Sequence, residues 1–115
     1  MSRIDRVKEE LRHQVSMIVG QELHDTRIGF VTITRVEVTP DLKDAKIYFT
    51  TMNTGEAFDD TQGCLDRSAK YVRKLIGERM RIKFTPMIRF IYDEPQKISK
   101  KIDEIIDKIH KEKEA

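Results

Sequence analysis

VTITRVEVTPDLKDAKIYFT, residues 31–50, carries a β-hairpin in its residue types alone. Both flanks are rich in the β-branched and aromatic side chains that suit a pleated, half-buried surface. Between them, Thr39-Pro40-Asp41-Leu42-Lys43-Asp44 is turn chemistry, because Pro fixes φ and Asp can bond the backbone two residues on. The second flank, Ala45 to Thr51, alternates cleanly, with Ala45, Ile47 and Phe49 on one face and Lys46, Tyr48 and Thr50 on the other. The first flank changes phase, from Val31 and Ile33 to Val36 and Val38. Two readings accommodate that change: a bulge near Thr34 and Arg35, or a strand buried on both faces.

Working outward, the N-terminal side is an amphipathic helix, since Ile4, Val7, Leu11, Val15, Ile18 and Leu23 recur near the helical period. Ser2 followed by Asp5 supplies an N-cap signal, and the helix is expected to fade around His24 and Asp25. Beyond the hairpin, a polar stretch from Asn53 to Thr61 leads into a second helix over about 57–78, with Leu65, Ala69, Val72 and Ile76 on one stripe and Gly77 as its expected end. Met80 to Pro86 reads as an extended connector, and Ile88, Phe90 and Tyr92 as a third strand. Asp93-Glu94-Pro95 then starts a final helix whose stripe is Ile98, Ile102, Ile105, Ile106 and Ile109, with Ile102 and Ile106 expected in the core. The order α-β-β-α-β-α predicts an α+β domain over 1–109, three helices on a three-stranded sheet. Residues 110–115, HKEKEA, form a charged tail expected to fray.

A chain of 115 residues makes one domain of this kind. Its 38% hydrophobic content supports one modest core, and no apolar run of about 18 residues could span a bilayer. The single Cys64 precludes an internal disulfide, and MSRIDRVKEEL lacks the apolar core of a secretory signal, so a cytoplasmic protein is expected. His13, His24 and His110 have no metal-ligand spacing. Asp59 and Asp60 read as a solvated cap rather than an acid-base pair, Cys64 reads as a buried structural thiol, and phosphate-cradle and nucleophile-elbow motifs are missing. The expectation is no enzyme, no metal, no cofactor, no membrane and no small-molecule substrate.

Charge is where the sequence becomes specific. The formal net charge is only +2, yet residues 55–66 carry Glu56, Asp59, Asp60 and Asp66 with no base. Residues 67–83 carry Arg67, Lys70, Arg73, Lys74, Arg79, Arg81 and Lys83 against Glu78 alone, a swing from −4 to +6. At about 100° per residue, Arg67, Lys70 and Lys74 fall nearly opposite the Leu65, Ala69, Val72 and Ile76 stripe. An ordinary solvated helix face would look similar, but here the basic run continues past the helix and lacks compensating acids. That is the footprint of a surface that neutralises RNA phosphates. Arg89 is a weaker candidate, and Tyr71, set among the bases, reads as partly buried.

The hairpin sequence, together with LDRSAKYVRKLIGERMRIKFTPMIRFIYDE at 65–94, resembles the ribosome-binding factor A family. The resemblance covers about residues 3–108. Its most specific parts are V-x-V-[ST]-x-D-L-x-x-A-x-[VI]-Y at Val36 to Tyr48 and the T-P and F-x-Y-D elements within Met80 to Asp93. It implies a type II KH-like domain with a mixed sheet. The implied role is a non-enzymatic ribosome assembly factor that binds the 30S subunit and its 16S rRNA during late maturation and rRNA processing, and supports growth in the cold. A KH domain that grips single strands uses a GxxG loop, and glycines 20, 29, 55, 63 and 77 contain no such pair. The family has a kinked Ala-x-Gly junction instead. Ser68-Ala69-Lys70 stands at the matching place, so the resemblance predicts a bend or break there even though Ser and Lys can continue a helix where Gly would favour a break. It also marks the bases neighbouring this junction as the RNA-facing region, in agreement with the charge count over 67–83, and assigns no individual contacts. A monomer is expected. The alternative is a protein-interaction module that docks through the C-terminal isoleucine-rich helix.

Overall fold

A computed structural model describes residues 2–23, 31–94 and 105–109. Helix α1 (Arg3–Met17) starts where Ser2 accepts the Asp5 N–H at 3.2 Å, satisfying one of the donors a helix start leaves free. It buries Val7, Leu11 and Val15, then widens into a π-helical turn, Ile18–Glu22, closed by the Leu23 N–H donating to the Ile18 carbonyl at 3.0 Å. His24 and Asp25, where the helix was expected to fade, lie outside the described residues.

Strands β1 (Val31–Val38) and β2 (Asp44–Thr51) pair antiparallel, and β2 pairs parallel with β3 (Met87–Tyr92), so the sheet order is β1-β2-β3. The register settles the phase change in β1. Ile33 faces Phe49 and Arg35 faces Tyr48, which leaves Thr34 as the extra residue of a bulge. Val31, Ile33, Val36 and Val38 thereby all point to the side that Ala45, Ile47 and Phe49 take on β2 and Ile88 and Phe90 on β3. A strand buried on both faces is excluded, since Thr32, Thr34, Arg35 and Glu37 are exposed.

The hairpin turn is held by its side chains. The Thr39 hydroxyl donates to Asp41 Oδ1 at 2.6 Å, and the Lys43 N–H donates to the same oxygen at 3.0 Å. Together these bonds hold the Asp41 carboxyl below its ordinary pKa. Leu42 takes the left-handed conformation, with φ 60°.

A parallel neighbour needs a crossover connection. Helix α2 (Gly55–Arg79) provides it, lying over β3 while α1 lies over β1. Gln62 Nε2 donates to the Phe90 carbonyl at 3.0 Å, and Phe58 meets Tyr92 edge to face at 4.9 Å, with Phe49 beside both. The core comprises one face of the sheet and the inner stripes of α1 and α2, with Leu11, Val15, Ile47, Phe49, Leu65, Val72 and Ile76 fully buried.

Two expectations are corrected. α2 runs as one continuous α-helix through Ser68-Ala69-Lys70, so of the bend or break expected there the break is absent, consistent with Lys70, a good helix former, standing where a glycine would lower the cost of interruption. Ile106, expected in the core, is 46% exposed within the helical segment 105–109, as Ile105 and Ile109 also are. Helical periodicity marks a stripe but cannot say whether a partner surface covers it. Ile102 lies outside the described residues. With that third helical segment, the element order is the expected α-β-β-α-β-α around a three-stranded mixed sheet.

Candidate nucleic-acid interface

The basic segment folds into a ridge and an adjoining hollow. On α2, Val72, Leu75 and Ile76 face the core while Lys70 and Lys74 are exposed on the other side. Gly77, expected to end the helix, sits two residues before its end and has a different task. A Cβ there would lie 2.9 Å from Thr85 Oγ1, so a larger residue would have to push the Thr85 side chain aside, and glycine lets the connector 81–86 pack closely against the helix. Arg73 clamps the same contact. Its Nε approaches the Thr85 and Pro86 carbonyls at 3.3 and 3.2 Å, and its Nη2 donates to the Thr85 carbonyl at 3.0 Å. Helix and connector together frame an open depression of about 450 Å³, lined by Lys70, Arg73, Lys74, Gly77, Lys83 and Thr85, with Phe84 at its border.

The seven cations separate by what already holds them. Arg79 meets both carboxylate oxygens of Glu22, at 2.7 and 2.8 Å, tying the end of α2 to the end of the π turn. Arg73 is occupied with the connector carbonyls. Arg67 lies along its own helix, with Nη2 3.7 Å from Cys64 Sγ. Lys83 has its ammonium 5.6 Å from the Phe84 ring centroid. Lys70, Lys74 and Arg81 are exposed and make no ion pair or side-chain hydrogen bond among the described residues. Of the seven, Lys70, Lys74 and Lys83 thus surround one hollow with charge the fold does not consume. Ser68 and Ala69 are half-buried on the flank of α2, leaving Lys70 as the exposed member of the expected junction.

The outer face of the sheet is different. Arg35 lies 3.8 Å over the Tyr48 ring, pairs with Glu37 at 2.6 Å and approaches Asp93 at 3.7 Å, while the Tyr48 hydroxyl donates to Glu37 at 3.0 Å. Partial burial and that carboxylate raise the Tyr48 pKa. Arg89 is exposed on this face and shares a hollow with Lys46, Glu37 and Asp44, so its field is balanced locally.

Two side chains differ from expectation or escaped it. Tyr71 is 50% exposed beside the lysine ridge, more open than a mainly structural tyrosine. Phe84, 60% exposed, was not singled out; its signal was an aromatic directly after Lys83, off the alternation of the following strand. Cys64 is buried, as expected. His13 is exposed, His24 and His110 lie outside the described residues, and among the described residues no cluster of His, Cys, Asp or Glu could hold a metal ion. Nor is any described helix long and apolar enough to cross a membrane.

The family model for ribosome-binding factor A matches residues 3–106. Ribosome-binding factor A of Staphylococcus epidermidis is 36% identical over 109 residues, spanning 95% of this chain and 94% of that protein. The crystal structure of ribosome-binding factor A from Thermus thermophilus superposes with a TM-score of 0.69 over 77% of this chain and 93% of that one, at 18% identity, and so shares the fold. A homology model of the Thermus thermophilus factor, fitted into a cryo-electron microscopy map of its complex with the 30S subunit, has a TM-score of 0.62 at 19% identity over 73% of this chain and 88% of that one.

Proposed function

This chain belongs to the ribosome-binding factor A family, and on that premise we propose that it is a non-enzymatic ribosome assembly factor of the cytoplasm. It binds the 30S subunit through 16S rRNA during late maturation and rRNA processing, with a part in cold adaptation, using a KH-like domain without the single-strand-gripping loop. The observation that carries the site is the set of cations left over by the fold. Lys70, Lys74 and Lys83 ring one depression and Arg81 stands on the connector beside it, whereas Arg73 and Arg79 hold that surface in shape. Folded RNA presents phosphates at fixed spacings, and lysines on a rigid helix meet them by shape rather than by base sequence.

Co-sedimentation with purified 30S subunits, 50S subunits and 70S ribosomes tests the reading. Selective binding to 30S is expected, with a log-log salt slope of roughly −3 to −4 for four or five phosphate contacts. Reversing Lys70 and Lys74 to Glu should weaken it strongly, and reversing Lys108 and Lys111 should not. Equal losses would mean diffuse attraction without a site.

A second reading has one observation in its favour. Ile105, Ile106 and Ile109 are exposed on the last described helical segment, a surface on which a protein partner could dock. Concentration-dependent sedimentation of the pure protein, abolished by Ile106→Ser, would support it.

A further inference from the structure

The lysine depression shares a wall with a second hollow. An apolar cleft of about 310 Å³ lies between the start of α1, the hairpin turn and the connector, lined by Ile4, Val38, Leu42, Ile82, Phe84 and Pro86. Lys83 and Phe84 border both hollows, so a cation-rich basin opens beside an apolar slot of a size that suits a small flat group. Arg3 and Asp41 stand at the slot's edge, one able to donate and the other to accept hydrogen bonds. The slot is bounded by fixed parts. Leu42 is held at φ 60° by its N–H bond to the Thr39 carbonyl, at 2.8 Å, a conformation that is costly for any residue with a Cβ.

We propose that this pair of hollows receives one unpaired nucleotide of the bound RNA, its base in the slot against Phe84 and its flanking phosphates over Lys70 and Lys74. The inference rests on the RNA-binding reading above and narrows it from phosphate contact to recognition of an unstacked base. A nucleotide is an anion joined to a flat, largely apolar ring, and the two hollows offer those two chemistries side by side. Duplex RNA keeps its bases stacked and paired, so it can use the basin and leaves the slot empty. A protein segment would fill the slot without using the lysines, and the continuity of the slot with them is what favours RNA.

The chain contains no tryptophan, so Phe84→Trp installs a single emission reporter at a position already 60% exposed. A short unstructured RNA should quench that emission on titration, and a blunt RNA duplex with the same number of phosphates should bind without quenching. Phe84→Ala should weaken the single strand by about 5- to 100-fold, the range of one lost base stack, with the salt slope unchanged because no charge is removed. Phe84→Leu, which keeps apolar bulk but no aromatic face, should lose single-strand affinity while melting like the parent. Absence of quenching, or equal losses on single strand and duplex, overturns the proposal. A blue shift on concentrating the Phe84→Trp protein alone also overturns it, by showing that protein fills the slot. Failure of the underlying reading has a separate signature: Lys70→Glu with Lys74→Glu would leave affinity for both RNAs intact.

Discussion

The two halves of α2 bury similar stripes and face solvent with opposite charge. The first half buries Thr61, Cys64 and Leu65 and presents Glu56, Asp59, Asp60 and Asp66. The second buries Val72, Leu75 and Ile76 and presents Arg67, Lys70, Arg73 and Lys74, with Arg79 in the last turn. Acids toward a helix start and bases toward its end also complement the helix dipole, so the segregation alone does not identify a site. What distinguishes the halves is which side chains flanking the buried stripe the fold holds in place. In the first, Phe58 packs in the aromatic cluster with Phe49 and Tyr92, and Gln62 reaches both Phe90 and Asp66. In the second, Arg73 and Arg79 are committed to the connector and to Glu22, and Lys70 and Lys74 are not. A binding surface is therefore read by subtracting the cations the structure needs from those it carries.

The largest effect should come from the buried stripe. Leu65→Ala removes a fully buried side chain beneath the first half and should cost about 2–5 kcal/mol in urea unfolding. A loss below about 1 kcal/mol would mean that this half is held by its aromatic contacts rather than by the stripe.

Arg73→Met sharpens the comparison within the second half. It keeps the apolar stem and removes the donors to the Thr85 and Pro86 carbonyls, so it should destabilise by roughly 1 kcal/mol, little for a charged donor because the carbonyls partly regain water. Loss of RNA affinity without loss of stability would instead move Arg73 into the set of phosphate ligands.

The sheet and its flanking helices were legible in the sequence because alternation and helical periodicity are written directly in Ala45 to Thr51 and in Leu65 to Ile76. The bulge at Thr34 was legible as a phase change but not as a choice, since only the facing register of Phe49 and Tyr48 decides it. The continuity of α2 could be read from the propensities of Ser68 and Lys70, and the resemblance pointed the other way. In the site, the seven cations were visible as composition. Their division was not, because Arg73 meets residues twelve and thirteen positions away and Arg79 meets one fifty-seven away, contacts no local pattern encodes. Phe84 was hidden for the same reason: its exposure follows from how the connector packs on α2 beside Gly77 and Arg73.

A smaller effect is expected at the C-terminal stripe. With Ile106 46% exposed, Ile106→Ala should shift stability by less than about 1 kcal/mol, well under the roughly 2–5 kcal/mol of a buried isoleucine. A full core-sized loss would show that this stripe is covered in solution, which would weaken the reading that it is free to dock a partner.

The smallest expected change is the most discriminating. Lys70→Ala with Lys74→Ala should alter unfolding free energy by no more than about 0.5 kcal/mol, since both side chains are exposed and Ala is at least as good a helix former. If the two lysines were instead there to complement the helix dipole, their loss would cost up to about 1 kcal/mol, and the cost would vanish in high salt. Geometry argues against that: the dipole acts mainly within the last turn, which Arg79 already occupies, and Lys74 and Lys70 lie five and nine residues before it. Urea unfolding of parent and double variant at low salt and in molar salt separates the two. Coincident curves at both ionic strengths leave the lysines with no task in the fold. A salt-sensitive loss of about 1 kcal/mol would assign them to the helix and remove the strongest structural argument for an RNA surface on α2.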